Sequence, residues 1–161
     1  MTIYEFGMQM EKDGEMYYRE LAQKTEDIGL QHILTLLAED EVKHYAILES
    51  FKNEDKREFI ETKILADARN VFQRLKEEAE EWHPREDQLD LYKKAQGLEQ
   101  QSSDFYLSKA NEVAEVYQRE IFLKLAEEEK KHYFLLENMI EFISRPKTWI
   151  ENAEFHHLDE Y

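Results

Sequence analysis

At 161 residues the chain has room for one domain with a real core, and a second independent domain would be crowded. A formal net charge of −16 argues against nucleic acid or an anionic membrane as partner, because both need clustered Lys and Arg, and the absence of Cys removes disulfides and thiolate metal sites. Four Gly and two Pro punctuate a sequence that is 36% charged and 42% hydrophobic, which predicts an all-α protein of long helices with solvated outer faces. The opening segment MTIYEFGMQMEKDGE carries no apolar signal core, and no stretch approaches the ~18 apolar residues of a membrane span, so we expect a cytoplasmic protein.

In chain order, Ile3, Gly7, Met10, Gly14, Tyr17 and Leu21 step by fours and threes and predict a first helix ending near Thr25-Glu26-Asp27. Leu30, Leu34, Leu37, Glu41, His44, Leu48 and Phe51 continue the stepping on a second helix, with two polar residues inside the apolar stripe. Ile60, Ile64, Ala68, Val71 and Leu75 suggest a crossover helix that the Trp82-His83-Pro84 break ends. Leu91, Ala95, Leu98, Ser102 and Phe105 mark a third long helix. Phe122, Leu125, Glu129, His132, Leu136, Met139 and Ile143 mark a fourth, again with a Glu and a His in the stripe. Beyond Arg145-Pro146 runs an aromatic-containing tail, 146–161, expected to pack across the bundle or a partner subunit.

An internal repeat organises these elements. Residues 11–49 shifted by 88 fall on 99–137 without a gap and with 13 identities in 39 positions. The match sets Glu11 on Glu99, Tyr18 on Tyr106, Glu41 on Glu129, and Lys43-His44-Tyr45 on Lys131-His132-Tyr133. The two halves therefore read as two copies of one helical hairpin. In each copy a lone Glu precedes the Glu of a Glu-x-x-His pair by 30 residues, so the turns are predicted at the midpoints, residues 26 and 114. Residues equidistant from the turn of an antiparallel pair share a level, so Glu11 faces Glu41 and Glu99 faces Glu129. A Glu and a His three apart on a helix point the same way, with Cβ atoms roughly 5–6 Å apart. Pairing the hairpins gathers four Glu and two His at one height, the ligand arrangement of di-iron and di-manganese carboxylate bundles.

Glu-x-x-His alone is a weak signal, because 28 Glu place one three before four of the six His. Glu80/His83 and Glu154/His157 lack the partner Glu, since Ser50 and Lys124 stand 30 residues upstream, and neither lies on a stripe. These pairs, His32 and His156 are read as non-ligands. Four carboxylates buried around one point without metal would raise each other's pKa until several took protons, whereas two divalent cations balance four negative charges. Oxygen and imidazole donors without thiolate suit iron or manganese and also accommodate zinc. Asp40 and Glu128 each precede a Glu of the set on the flank facing the other hairpin, where they are placed to accept the ring N–H of the opposite His. Tyr18 and Tyr106, seven after the lone Glu, are placed to donate to a ligand carboxylate, and Gly7 and Gly14 either leave room for substrate or permit close packing.

The segments MEKDGEMYYRELA, LLAEDEVKHYAILE, GLEQQSSDFYLSKA and KLAEEEKKHYFLLE resemble the four ligand helices of the rubrerythrin group within the ferritin-like superfamily. The resemblance implies a ferritin-like four-helix bundle over 1–145, its two hairpins joined by a long crossover at about 53–85. It implies that Glu41 and Glu129 bridge two metal ions, iron being expected, that Glu11 and Glu99 are terminal carboxylates, and that His44 and His132 each supply one nitrogen. It also implies reduction of hydrogen peroxide or dioxygen with electrons from an external carrier, such as a rubredoxin-like protein, and a homodimer is the expected assembly. An iron-oxidising storage subunit and a metal-dependent scaffold or sensor are the alternative functions. The chain departs from the group twice: it has no Cys-rich rubredoxin domain, and Ser102 stands where a further carboxylate three after Glu99 is expected. A neutral hydroxyl competes poorly for a ferric ion, so His44 is expected to stay bound whatever the oxidation state.

Overall fold

In a computed structural model of the chain, residues 1–77 and 86–144 are described, and five α-helices carry most of them with no strand among the described residues. They are α1 (Ile3–Lys24), α2 (Ile28–Lys52), α3 (Ile64–Glu77), α4 (Leu89–Glu112, entered through a 3-10 turn at Glu86–Gln88) and α5 (Val116–Ser144). The tail and the Trp82-His83-Pro84 break lie outside the described residues, as do Glu80/His83, His156 and Glu154/His157. No helix among the described residues is long and apolar enough to cross a membrane.

Local chemistry sets the helix ends. The Thr2 side chain accepts the Glu5 N–H at 3.1 Å to start α1, and Asp27 accepts the Leu30 N–H at 2.9 Å to start α2. The interhelical turns span 25–27 and 113–115, centred where the thirty-residue spacing predicts. The first is tied down by Gln88, whose amide donates to the Lys24 carbonyl at 2.6 Å, and by the Thr25 hydroxyl, which donates to the Leu21 carbonyl at 2.7 Å. Helices α1 and α2 form one antiparallel hairpin and α4 and α5 the other, with α1 lying beside α4, α2 beside α5, and α3 laid against α2 and α5.

The crossover helix starts later than its apolar spacing suggests. Ile60 is 78% exposed and α3 begins only at Ile64. Glu54 and Lys56, at φ 62° and 35°, turn the chain out of α2, and an irregular strap from 53 to 63 runs back along the bundle before α3 can start.

Two helices are also rotated relative to their predicted stripes. On α2 and α5 the buried face is the expected one, except that Phe51 is only half-buried. On α1 the buried residues are Gly7, Met8, Glu11, Tyr18 and Leu21, and on α4 Tyr92, Ala95, Glu99, Ser103, Tyr106 and Ala110, while Met10, Gly14, Tyr17, Leu91, Ser102 and Phe105 sit half-buried at the flanks and Leu98 is 38% exposed. The rotation of about one residue turns Glu11 and Glu99 inward, and the displaced apolar residues pack between α1 and α4, as where Phe6 meets Phe105 at 4.9 Å between ring centroids.

The apolar core has two parts. One, built around Leu21, Leu34, Leu37, Phe72, Leu135 and Phe142, is closed by α3, with Phe72 edge-on to Phe142 at 5.7 Å. The other, at the opposite end, gathers Met8, Leu48, Tyr106, Phe122 and Leu125. Between them, at the level of Glu11, Glu41, His44, Glu99, Glu129 and His132, every helix of the bundle turns a polar residue inward. Because Leu34 and Phe122 are wholly buried in different parts, Leu34→Ala should cost about 2–5 kcal/mol and Phe122→Ala about 3–5 kcal/mol of unfolding free energy in urea titrations.

Candidate metal centre

Each hairpin brings three ionisable residues to this polar level, and the structure places all six together. Two overlapping groups form: Glu11, Glu41, His44 and Glu129, and Glu41, Glu99, Glu129 and His132. Within each, one ligand atom per residue lies inside 4.8 Å of all the others, every member is buried, and Glu41 and Glu129 belong to both. The two imidazoles stack at 5.7 Å with 21° between their planes.

Both rings turn Nδ1 inward. His44 Nδ1 lies 3.3 Å from Glu11 Oε2 and 3.2 Å from Glu129 Oε1, and His132 Nδ1 lies 3.2 Å from Glu41 Oε1 and 3.2 Å from Glu99 Oε1. Their Nε2 atoms point outward to the opposite hairpin, His132 to Asp40 Oδ2 at 2.9 Å and His44 to Glu128 Oε1 at 3.3 Å. Both acids are almost fully buried, and each stays near a lysine one turn on, Lys43 beside Asp40 and Lys131 beside Glu128.

The tyrosines also act across the hairpins. The Tyr106 hydroxyl donates to Glu11 Oε1 at 2.6 Å, and the Tyr18 hydroxyl donates to Glu99 Oε1. Burial and the neighbouring carboxylates push both phenols well above their ordinary value, so they remain donors. One oxygen of Glu11 and of Glu99 thus accepts from a tyrosine, while the other, Oε2 in each, is buried without a well-formed hydrogen bond, that of Glu11 standing 3.3 Å from His44 Nδ1. Buried polar atoms are rarely left in this state, and two such oxygens in one layer with two inward Nδ1 atoms fit cations in the centre.

The glycines leave no open room beside this centre. A Cβ on Gly14 would stand 2.9 Å from Glu41 Oε2, and one on Gly7 would stand 3.0 Å from Leu48 Cδ1 and 3.4 Å from the Tyr106 ring. Close packing, not substrate space, is the reason for both. Ser102 is half-buried on α4, and His32 is exposed on α2. Thr62, on the strap, was not visible as a site residue in the sequence: its hydroxyl donates to Asp40 Oδ2 at 2.5 Å and its N–H donates to Glu128 at 3.1 and 3.2 Å. It has no counterpart in the repeat, and only an acceptor pair on the two halves marks where it docks.

The charges of the polypeptide alone are balanced by protons. Burial, then Glu11 and Glu99, hold Glu41 well above the usual carboxylate range, and burial with Glu11, Glu41 and Glu99 does the same to Glu129. Burial opposes ionisation of Glu11, yet the His44 charge beside it prevails and lowers it to about 2, and His132 lowers Glu99 in the same way. Burial likewise opposes the charged imidazoles, but Glu11 and its neighbours raise His44 to about 10, and Glu99, Asp40 and Glu41 raise His132 well above its ordinary value. Glu11 and Glu99 are thus held toward the ionised form beside imidazoles held toward the charged form, while Glu41 and Glu129 between them are held toward the protonated form.

A four-helix bundle with paired carboxylates and histidines across its middle defines the ferritin-like class of all-α proteins. Within it this chain belongs to the rubrerythrin family, whose sequence model matches residues 3–140. A hypothetical protein from Pyrococcus furiosus shares the fold, with a TM-score of 0.64 and 21% identity over 88% of this chain and 87% of that one. No curated protein matches the chain.

Groups whose folded pKa exceeds the unfolded value stabilise the fold at low pH and lose that contribution as pH rises. Glu41 and Glu129 do so above the ordinary glutamate value of 4.5, and His44 does so from 6.5 up to about 10. Glu11 acts oppositely and loses its contribution as pH falls toward about 2. Chelator-treated protein should therefore be most stable in mild acid and lose urea resistance steadily between pH 6 and pH 9; a flat or rising profile would contradict the proton pattern.

Proposed function

We propose that the cluster holds two divalent metal ions, iron by preference, and reduces hydrogen peroxide or dioxygen with electrons from an external one-electron carrier. The observation that carries this reading is the overlap of the two ligand groups on Glu41 and Glu129. Two cations need shared carboxylates to sit side by side, and two shared, two terminal and two imidazole ligands meet that need. Bound iron would supply two electrons at one place, which with two protons convert one peroxide to two waters.

The polypeptide's own part is to hold and orient. Tyr18 and Tyr106 each fix one oxygen of a terminal carboxylate and leave the second free to bind. Asp40 and Glu128 engage the outward Nε2 of His132 and His44, which fixes the tautomer whose Nδ1 lone pair faces the centre. The aromatic and aliphatic residues above and below the layer exclude bulk water. Ser102 brings no carboxylate to α4, so His44 remains a ligand throughout the cycle in this reading. These 161 residues contain no Cys for an iron–sulfur or rubredoxin-type centre, and in this reading an external carrier delivers the electrons.

Loading is an exchange of cations for protons. Glu41, Glu129, His44 and His132 are all held toward their protonated forms, and binding in the proposed mode displaces protons from them. Metal affinity should consequently rise with pH, and reconstituted protein should melt several degrees or more above the chelated form.

The decisive measurement is metal analysis of protein from iron-replete cells, followed by anaerobic reduction and stopped-flow mixing with peroxide and with oxygen. We expect two metal equivalents and a fast peroxide-dependent change in iron absorption. Glu41→Ala and Glu129→Ala should each lose most of the metal, while Glu39→Ala and Glu127→Ala, exposed neighbours on the same helices, should keep it. Two full equivalents in both bridging variants would refute the ligand assignment.

Gly14→Ala separates stability from binding. Replacing a helical Gly by Ala ordinarily adds up to ~1 kcal/mol of stability. The new methyl displaces Glu41 Oε2, the free end of a flexible side chain. The chelated variant should thus melt at or above wild type while its metal affinity falls, a combination that calorimetry and competition with a chromogenic chelator will show.

A further inference from the structure

We propose that Thr62 is a positioning residue that links, through one side-chain and one main-chain hydrogen bond, the two carboxylates on which the two inward-facing histidines hang. A continuous path runs across the bundle from His132 to Asp40, Thr62, Glu128 and His44. The shared atoms are specific: Asp40 Oδ2 accepts from both His132 Nε2 and the Thr62 hydroxyl, and Glu128 Oε1 meets both His44 Nε2 and the Thr62 N–H. Neither acid can swing without disturbing one histidine and the strap together. Both acids lie under 5% exposed.

The hydroxyl is used at both ends. It donates to Asp40 and accepts the Ile64 N–H at 3.1 Å, which fixes Thr62 against the first turn of α3. Starting the helix would need only the lone pair aimed at Ile64; the proton given to Asp40 contributes nothing to that. The position is equally specific in the chain. Asp40 and Glu128 are equivalent in the repeat, as are Lys43 and Lys131, but the strap occurs once. One residue therefore holds two equivalent acids by two different groups, and this makes the two arms separable by substitution. Thr62→Val removes the hydroxyl arm to Asp40 and His132, together with the acceptor for the Ile64 N–H, while keeping shape and the N–H donor to Glu128, and Thr62→Ser restores both roles of the hydroxyl.

The inference rests on the metal-centre reading for its chemical consequence, since the histidines it orients are the proposed nitrogen ligands, but the hydrogen bonds themselves are testable without metal. The experiment is nitrogen-15 NMR of the full chain with labelled histidine, following the exchange of the two Nε2–H protons with solvent, in chelated and in zinc-loaded protein. In Thr62→Val the His132 proton should exchange about tenfold faster, the size of one ordinary hydrogen bond lost, with His44 unchanged within about twofold, and Thr62→Ser should restore wild-type exchange. Equal change at both histidines, no change at either, or failure of the serine variant to restore would overturn the proposal. Should the valine variant not fold, the Thr62 amide in wild-type protein decides: protection well above that of the exposed Glu58 and Glu61 amides supports the link, and equal exchange removes it. Failure of zinc to bind, with the histidine pattern intact in chelated protein, would refute the metal centre and leave the Thr62 link standing.

Discussion

Four carboxylates enclosed at one height of a helical bundle are the constraint on which the rest of this molecule depends. Like charges at this separation, away from water, cannot all remain ionised. The chain answers by surrounding the layer with polar partners, imidazoles inside, tyrosine hydroxyls on Glu11 and Glu99, and a second pair of acids behind the imidazoles, and leaves one oxygen of Glu11 and of Glu99 unsatisfied. The same demand rotates α1 and α4 so that Glu11 and Glu99 face the axis, although this leaves Leu98, Met10 and Phe105 less deeply covered than a purely apolar fit would.

How much of this was legible in the sequence follows from which signals are periodic. The helices, the hairpin pairing and the turn positions are set by spacing and by a gap-free repeat, and both survive in one dimension. The six clustered residues are legible because a polar layer duplicated with the hairpin has to appear twice. On α1 and α4 the apolar stripe that includes Leu98 and Phe105 lies about one residue from the buried face, because Glu11 and Glu99 join the central layer while Leu98 and Phe105 fall at the flank. On α2 and α5 the Glu and His lay inside the stripe, so no such conflict arose. The start of α3 was misplaced for a related reason. Ile60 continues the apolar spacing upstream, but two positive-φ residues and the docking of Thr62 decide where the helix begins. Single-copy contacts across distant segments leave no periodic trace.

The arrangement also divides labour between copied and unique parts of the chain. The two hairpins furnish everything that comes in pairs, and cross-hairpin bonds interlock them: Tyr18 of α1 reaches Glu99 of α4, Tyr106 of α4 reaches Glu11 of α1, and each histidine leans on an acid of the other half. Neither hairpin completes its own polar partners, so the centre exists only when both are assembled. The crossover, present once, stacks Phe59 on His44 at 6.5 Å and, with Asp40, His44 and Glu128, lines a cavity of about 320 Å³ on the side to which the imidazoles reach outward.

The split of the apolar core by a polar layer bears on how the protein comes apart. Hydrophobic cooperativity arises from a continuous network of contacts, and here two such networks meet across a slab of ionisable groups. Whatever neutralises that slab decides whether the ends melt as one body or in sequence. The end closed by α3 and the end around Phe122 are separate candidate foldons, coupled through a layer whose cohesion is electrostatic. In a protein built this way the cohesion between the two apolar ends runs through a layer of ionisable side chains, so folding cooperativity is tied to whatever balances their charge.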